Sequence, residues 1–195
     1  MMYEMIEWWS KNDSGIACDD LTDCPYIDIE KSDEIVRAGA TKMVFIPKEG
    51  DYVYKVSTKR CEYFEDACAQ EAENYQLAKE YGLEQFFIPT YYWGSYLGYD
   101  IYRQEKVAAN GDKINTKEYR TSGSYYMDEH EGKHLWHYFD ESSLGAIIDY
   151  YGVDIAEKLI SFVIEYDIND LTSYNCTIDD NGEVKFFDYA GYGED

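Results

Sequence analysis

A predicted β-hairpin near the carboxyl end constrains this chain more than any other stretch of the sequence. Asn181-Gly182 is typical of a tight hairpin turn, and it lies between the short runs "NCTI" and "VKFFD". Asp170 and Asn175 stand five residues apart before the hairpin, and Asp188 follows it. Because a hairpin returns the chain to its starting point, we expect these three polar side chains to meet at one end of it.

Carboxylate and amide oxygens that converge in this way are typical of a site that holds Mg²⁺ on phosphate oxygens. Such a site needs a lysine opposite the metal, and "DYVYKVS" supplies Lys55 on a predicted strand, between the apolar Val53 and Val56. A lysine over a sheet needs an acidic partner. Glu71 and Glu73, in the helix predicted next, are both candidates, because the sequence does not settle which face of that helix turns inward.

The first half of the chain has the pattern of an antiparallel sheet with one helix inserted. "DEIVRAGATKMVFIP" and "GDYVYKVS" predict a three-strand meander. "CEYFEDACAQEAENYQLAKEYG" predicts a helix that ends at Gly82, and "FFIPTYYWGSYLGYDIYRQEKV" predicts two further strands that turn at Leu97-Gly98. "SLGAIIDYYGVDIAEKLISFVIEYDI" then predicts two helices before the hairpin. The chain is therefore expected to be an α+β protein with a five-stranded antiparallel sheet.

The stretch "DEHEGKHLWHYF" contains His130 to His134 in the H-E-x-x-H pattern of zinc proteases. In those enzymes the two histidines share a zinc ion because they lie on one face of a helix. Gly132 costs about 1 kcal/mol in a helix interior, and residues 108–143 as a whole are predicted to be a polar insertion of turns and loop. A zinc hydrolase with His137 or Glu157 as third ligand stays an alternative to three loop histidines.

The charge of the chain limits its partners. Seventeen basic and forty acidic side chains give a net charge of −23, which disfavours direct binding to nucleic acid or to an anionic membrane surface and favours cationic partners. The charge has two interpretations. One is a well-solvated acidic surface, and the more specific one is a mimic of DNA that occupies a nucleic-acid-binding protein.

The cysteines and the first residues predict a cytoplasmic protein. The cysteines are odd in number and form no C-x-x-C pair, which is typical of reduced thiols. No signal peptide or membrane-spanning segment is predicted. The cysteines are Cys18, Cys24, Cys61, Cys68 and Cys176.

Taken together, these motifs resemble the protein-kinase-like fold, which protein kinases share with small-molecule phosphotransferases such as aminoglycoside kinases. "VYKV" resembles the strand lysine motif V-A-I-K, and "EAENY" resembles the helix that supplies its glutamate. "DLTSYN" is similar to the D-x-x-x-x-N catalytic loop, and "FFDYAG" stands where D-F-G belongs. The resemblance extends from about residue 33 to residue 192.

The resemblance implies a two-lobe fold. Residues 33–107 would form an amino-terminal lobe of five antiparallel strands and one helix, after an extension of helix and coil over residues 1–32. Residues 108–195 would form a short, mainly helical carboxy-terminal lobe that carries the catalytic-loop hairpin and the insertion over 108–143. Because the chain ends seven residues after Asp188, this lobe is expected to be truncated, and a partner or a second copy is expected to complete it.

The resemblance also implies roles for the polar residues. Lys55 would contact the phosphates of ATP, and Glu71 would orient Lys55. Asp170 would accept the proton of the acceptor hydroxyl, while Asn175 and Asp188 would hold Mg²⁺.

The nucleotide would be covered and held by two further segments. Gly39 and Thr41 of "RAGATK" would form the turn over the phosphates, although one glycine replaces the usual glycine-rich loop. Gln104, Glu105 and Val107 would form the hinge that contacts the nucleotide.

Two functions therefore follow from the resemblance. The first is a minimal kinase that binds ATP and Mg²⁺ and transfers the γ-phosphate to an unknown small-molecule or protein acceptor. The second is a catalytically inactive, pseudokinase-like module that works by binding, as a regulator or an acidic decoy. Ile168-Asn169 stand where His-Arg usually precede the catalytic aspartate, so regulation by a phosphorylated activation loop is not expected.

Overall fold

The computed structural model describes residues 2–12, 30–31, 34–38, 41–57, 66–108, 111–179 and 181–190. These residues form an α+β structure that divides into two compact units. The first unit comprises Met1–Ala72 and Thr90–Lys106, and the second comprises Glu73–Pro89 and Val107–Asp195. The α+β class agrees with the prediction.

The first unit is built on a six-stranded antiparallel sheet with the order β1-β2-β3-β4-β6-β5. Its strands are β1 Glu30–Lys31, β2 Glu34–Ala38, β3 Lys42–Pro47, β4 Tyr52–Ser57, β5 Thr90–Tyr96 and β6 Tyr99–Glu105. The predicted number of five strands is wrong by one, because the two-residue β1 pairs with β2. The predicted turn at Leu97-Gly98 is confirmed, since both residues have positive φ, 51° and 81°, as a two-residue hairpin loop requires.

The first helix covers one face of this sheet. α1 spans Met2–Asn12, and its apolar side chains join a buried cluster with residues of β3, β4 and β6. The fully buried members of this cluster include Met5, Ile6, Met43 and Val56. The amino-terminal residues are thus part of the core of the first unit.

α2 follows β4 and spans Ala67–Tyr81. It begins after Asp66, whose carboxylate accepts hydrogen bonds from the backbone N–H groups of Cys68 (3.1 Å) and Ala69 (2.9 Å), as an N-cap does. It ends at Gly82, whose φ of 68° is the left-handed conformation that stops helices. The predicted helix is confirmed over these residues, and its predicted beginning, residues 61–65, lies outside the described residues.

The second unit is mainly helical. Its elements are α3 Gly111–Ile114, α4 Lys117–Glu129, α5 Glu141–Tyr151, α6 Val153–Glu165, and the antiparallel hairpin of β7 Cys176–Ile178 and β8 Val184–Phe186. The two predicted helices and the hairpin are confirmed. Aromatic side chains fill the core, among them the fully buried Phe86, Phe139, Phe162 and Phe186.

The prediction of turns and loop over residues 108–143 is wrong, because α3, α4 and the start of α5 lie there. Gly123 is buried within α4, and a Cβ at this position would overlap the carbonyl oxygen of Glu141. A Cβ at Gly145 of α5 would likewise overlap the carbonyl oxygen of Tyr119 in α4. Both glycines are therefore needed for the close approach of α4 and α5.

Within the described residues, no helix is both long enough and apolar enough to cross a membrane.

Candidate functional site

Two buried lysines share one buried glutamate in the first unit. Lys55 donates from Nζ to Oε2 of Glu71 at 2.8 Å, and Lys42 donates from Nζ to Oε1 of the same carboxylate. The exposed fractions are 0% for Glu71, 3% for Lys55 and 4% for Lys42. Glu73, the other candidate partner, is exposed, so Glu71 is the residue that pairs with Lys55.

The register of two neighbouring strands places both lysines on one face of the sheet. Lys42 of β3 lies opposite Ser57 of β4, and Val44 lies opposite Lys55. Since alternate side chains of a strand point to the same face, both lysines point to the face opposite α1, where Glu71 of α2 meets them. Sequence reasoning missed Lys42. The alternation of β3 was the signal that could have found it, once the register with β4 was known.

The carboxylate of Glu71 has polar neighbours beyond the two lysines. Thr90 donates from Oγ1 to Glu71 Oε2 at 3.3 Å, and Gln104 donates from Nε2 to Thr90 Oγ1 at 2.8 Å. We call Lys42, Lys55, Glu71, Thr90 and Gln104 the Glu71 cluster. Burying an ion costs several kcal/mol unless its partners are well placed, and here each oxygen of the carboxylate has a cation.

The other predicted nucleotide contacts have different environments. Thr41 is buried at the start of β3, Glu105 at the end of β6 is exposed, and Val107 is half-buried. The side chain of Gln104 points into the Glu71 cluster. Gly39, the predicted turn glycine, lies outside the described residues.

A buried thiol lies next to the cluster. Burial, the largest cause, and the Glu71 carboxylate raise the pKa of the Cys68 thiol from 9.0 to about 12, although the nearby lysines and a hydrogen bond with Ser57 act in the opposite direction. Because the thiolate is the reactive form, Cys68 is suited to packing and not to nucleophilic chemistry.

In the second unit the predicted catalytic loop is closed by a hydrogen-bonded pair. Asn175 donates from Nδ2 to Oδ2 of Asp170 at 2.8 Å and to its backbone oxygen at 3.0 Å. Asp170 has a φ of 62°, a left-handed conformation that costs about 1 kcal/mol or more outside glycine and that clusters at functional sites. The loop therefore fixes the carboxylate of Asp170 relative to Asn175.

The hairpin brings Asp188 to the same end of the second unit. The backbone N–H of Phe187 donates to the carbonyl oxygen of Asn175 at 3.0 Å, which extends the β7–β8 pairing by one residue toward the loop. Asp188 is the next residue along the chain. This hydrogen bond brings the chain at Asp188 next to Asn175, while the meeting of the three side chains stays a prediction.

Tyr189 anchors the segment that carries Asp188. Its side chain is fully buried, its hydroxyl donates to the carbonyl oxygen of Ile88 at 2.7 Å, and its own carbonyl oxygen accepts from Nδ2 of Asn74 at 2.8 Å. These hydrogen bonds hold both ends of the tyrosine. Asp188 therefore directly precedes a residue that is held by hydrogen bonds at its side chain and at its backbone.

Asp140 ties the loop from Asp170 to Asn175 to α5, and sequence reasoning missed this role. Its Oδ1 accepts from the backbone N–H of Ser143 at 2.7 Å, as the N-cap of α5. Its Oδ2 accepts from the backbone N–H and the hydroxyl of Ser173, at 2.9 and 2.6 Å. Ser143 in turn donates from its hydroxyl to the carbonyl oxygen of Leu171 at 2.6 Å. An N-cap can be predicted from "DESS", but the link to Ser173 depends on tertiary structure.

The amide oxygen of Asn175 is a candidate ligand for a cation. Both hydrogen bonds of the Asn175 side chain use the amide nitrogen, so the amide oxygen is the atom that can bind a cation. Together with a carboxylate such as that of Asp188, it would provide the one or two protein ligands that Mg²⁺ takes when phosphates and water complete its shell. Among the described residues, no group of three or more His, Cys, Asp and Glu side chains is placed to hold a metal without such help.

The H-E-x-x-H motif does not lie on a helix. His130 is the C-cap of α4, a 3₁₀ turn follows over Glu131–Lys133, and His134 is left-handed with a φ of 49°. The proposed third ligands have other neighbours, since His137 lies 3.3 Å from Nδ2 of Asn169 and Glu157 accepts from the hydroxyl of Tyr126. These residues give no support to the zinc hydrolase alternative.

Neither a protein-family model nor a curated protein sequence matches this chain.

Proposed function

We propose that this protein has a kinase-like fold, binds ATP with Mg²⁺, and transfers the γ-phosphate to an acceptor. The observation that carries the proposal is the buried pairing of Lys55 with Glu71. A charged pair with almost no exposure is costly to bury, and kinase-like enzymes use this arrangement to point an ammonium at nucleotide phosphates. The kinase-like motifs of the sequence predict the same pair.

The second unit contributes the residues for metal binding and proton transfer. Asn175 and Asp188 would ligate Mg²⁺, which when bound neutralises charge on the phosphate oxygens. Asp170, oriented by Asn175, accepts the proton of the acceptor hydroxyl as that oxygen bonds to the γ-phosphorus and the bond to ADP breaks. Positioning and charge neutralisation supply most of the catalysis in such a site.

For the acceptor of the phosphate we propose only a chemical class. The net charge of −23 favours a cationic small molecule or a basic protein surface. A cytoplasmic location belongs to the same proposal, and the free thiols of Cys68 and Cys176 are consistent with it.

Thermal unfolding with and without ligand tests the binding step. ATP with Mg²⁺ at about a hundred times its dissociation constant adds roughly 2.7 kcal/mol, which raises the midpoint by about 5–10 °C for a chain of this size. We expect the rise to vanish with EDTA and in Asp188→Ala, and to persist in Asp128→Ala, which removes an exposed carboxylate from α4. No rise in the wild-type protein would refute the proposal.

A binding module without catalysis is the second candidate, and one observation favours it. Ile168 and Asn169 precede Asp170 and are buried, so this part of the loop packs in the core where active protein kinases place His-Arg. Release of ADP from ATP separates the two candidates. The kinase predicts turnover in the wild-type protein and its loss in Asp170→Ala, whereas the binding module predicts a thermal shift with no turnover in either protein.

A further inference from the structure

We propose that His137 is a positioning residue that holds the loop with Asp170 in the geometry for proton transfer. The inference rests on the proposed function and adds to it a residue that the kinase-like motifs do not include. It follows from the hydrogen bond that Nδ2 of Asn169 donates to Nε2 of His137 at 3.3 Å. Asn169 directly precedes Asp170 in the chain.

The backbone around Asp170 has a conformation that needs support from other parts of the chain. Asp167 and Asp170 are both left-handed, with φ values of 52° and 62°. Residues other than glycine keep this conformation only where their surroundings hold it, because it is unfavourable by itself. Nε2 of His137 also lies 3.7 Å from Oδ1 of Asp167, so the imidazole contacts this stretch at its start as well as at Asn169.

The segment that contains His137 supports Asp170 from both sides. On the carboxyl side, the backbone N–H of Leu171 donates to the carbonyl oxygen of Tyr138 at 2.8 Å. On the amino side, the amide of Asn169 donates to the imidazole. Without the second of these contacts, only one neighbour of Asp170 is held, and the carboxylate is expected to lose its fixed direction toward the hydroxyl that it deprotonates.

His137 can act as such a support because its own position is fixed. Leu135 and Phe139 lie two residues before and after it, and both are buried in the core of the second unit. Phe139 also pairs with Leu171 in a parallel bridge. Asn169 is only 2% exposed, so water has little access to replace the imidazole as its hydrogen-bond acceptor.

Release of ADP from ATP and Mg²⁺, with water as the phosphate acceptor, tests this role in the full chain. His137→Phe keeps an aromatic ring and removes both nitrogens. We expect kcat to fall about tenfold, since a misplacement of about 1 Å can cost up to about a hundredfold. The dissociation constant for ATP with Mg²⁺ should change by less than about twofold, because Lys55, Asn175 and Asp188 are unaltered. An unchanged kcat, or an equal loss of affinity, would overturn the inference.

Replacement of His137 with glutamine separates loss of the hydrogen bond from loss of the imidazole. The glutamine side chain extends about as far as Nε2 of histidine and offers an oxygen that can accept from Asn169. His137→Gln should therefore return kcat to within about threefold of wild type. Equal losses in His137→Gln and His137→Phe would overturn the inference. His134→Asn is the matched control, since it removes an exposed imidazole from the same segment and should leave kcat unchanged.

A double-variant cycle measures the coupling between His137 and Asn169. Asn169→Ala removes the donor, so in that background His137→Phe should lower kcat by less than about twofold. The same tenfold loss in both backgrounds would mean that the imidazole acts by another route, and it would overturn the inference. If Asn169→Ala does not fold, the comparison of His137→Phe with His137→Gln decides by itself.

These measurements separate failure of the inference from failure of the proposed function. If the wild-type protein does not bind ATP with Mg²⁺, or binds it without releasing ADP, phosphoryl transfer fails and the role of His137 fails with it. If the wild-type protein releases ADP and this activity is lost in Asp170→Ala but retained in His137→Phe, the proposed function stands and the inference alone is wrong.

Discussion

Replacing Asp140 with alanine is the perturbation whose consequence can be worked out most fully from the structure. The carboxylate accepts one hydrogen bond from the backbone of Ser143 and two from Ser173. Ser143 and Ser173 are both buried, so water cannot fully replace the lost acceptor. The change therefore acts on the start of α5 and on the loop from Asp170 to Asn175 at the same time.

The expected loss is the sum of a helix cap and two hydrogen bonds to a charged acceptor. Loss of an N-cap costs about 1 kcal/mol, and the two hydrogen bonds from Ser173 share a contribution of about 2 kcal/mol, within the range for charged acceptors. A total of about 3 kcal/mol lowers the melting midpoint by about 6–12 °C. Asp140→Asn keeps one carbonyl oxygen for the cap, so its loss should be roughly half as large.

Urea unfolding monitored by circular dichroism measures this loss directly. The urea concentration at the midpoint should fall while the denaturant slope m stays the same. Asp128→Ala, which removes an exposed carboxylate, is the matched control and should change stability by less than about 0.5 kcal/mol. A loss below about 1 kcal/mol in Asp140→Ala would mean that the three hydrogen bonds contribute little to stability, contrary to the expectation.

Three further predictions concern packing and ionisation. Gly145→Ala should cost about 1–3 kcal/mol in urea unfolding, because its Cβ would overlap a backbone carbonyl of α4. Tyr189→Phe should cost about 1 kcal/mol, because it removes the hydroxyl that donates to Ile88. Cys68 and Cys176 should resist iodoacetamide at a pH of about 8, since burial raises both thiol pKa values from 9.0 to about 12. The buried neutral thiols stabilise the folded protein below a pH of about 9, and this stabilisation is lost as the pH rises toward about 12 and the thiols ionise.

The glycine and tyrosine predictions have matched controls within the same chain, and the cysteine prediction has a contradicting outcome. Gly94→Ala places a Cβ in open space, so an equal loss there would mean that crowding is not the cause. Tyr174→Phe removes a hydroxyl from a residue that is 77% exposed and should be neutral. Rapid labelling of Cys68 in the native protein, at the rate found in urea, would contradict its burial.

The parts of the structure that depend on local pattern could be predicted from the sequence. The dipeptides Leu97-Gly98 and Asn181-Gly182 mark two hairpins, because turn chemistry is a property of adjacent residues. The spacing of Asp170 and Asn175 was also sufficient to predict that they meet, since the loop between them is short. These elements carry most of the candidate site.

The parts that depend on tertiary contacts were missed. Helix α4 was missed because residues 108–143 are polar and contain glycines, which are unfavourable inside a helix, yet Gly123 lies where α4 meets α5. Lys42 could not be assigned to Glu71 without the register of β3 and β4. The link from Asp140 to Ser173 joins residues 33 positions apart, and no periodicity in the sequence connects them.

Calorimetric titration of ATP into the protein, with and without Mg²⁺, is the decisive test of the proposed nucleotide site. We expect one binding site in the wild-type protein that requires Mg²⁺, is lost in Asp188→Ala and is retained in Asp128→Ala. Binding that is absent from the wild-type protein at millimolar ATP, or that is equally strong in Asp188→Ala, would show that Asp188 does not hold Mg²⁺ on a bound nucleotide.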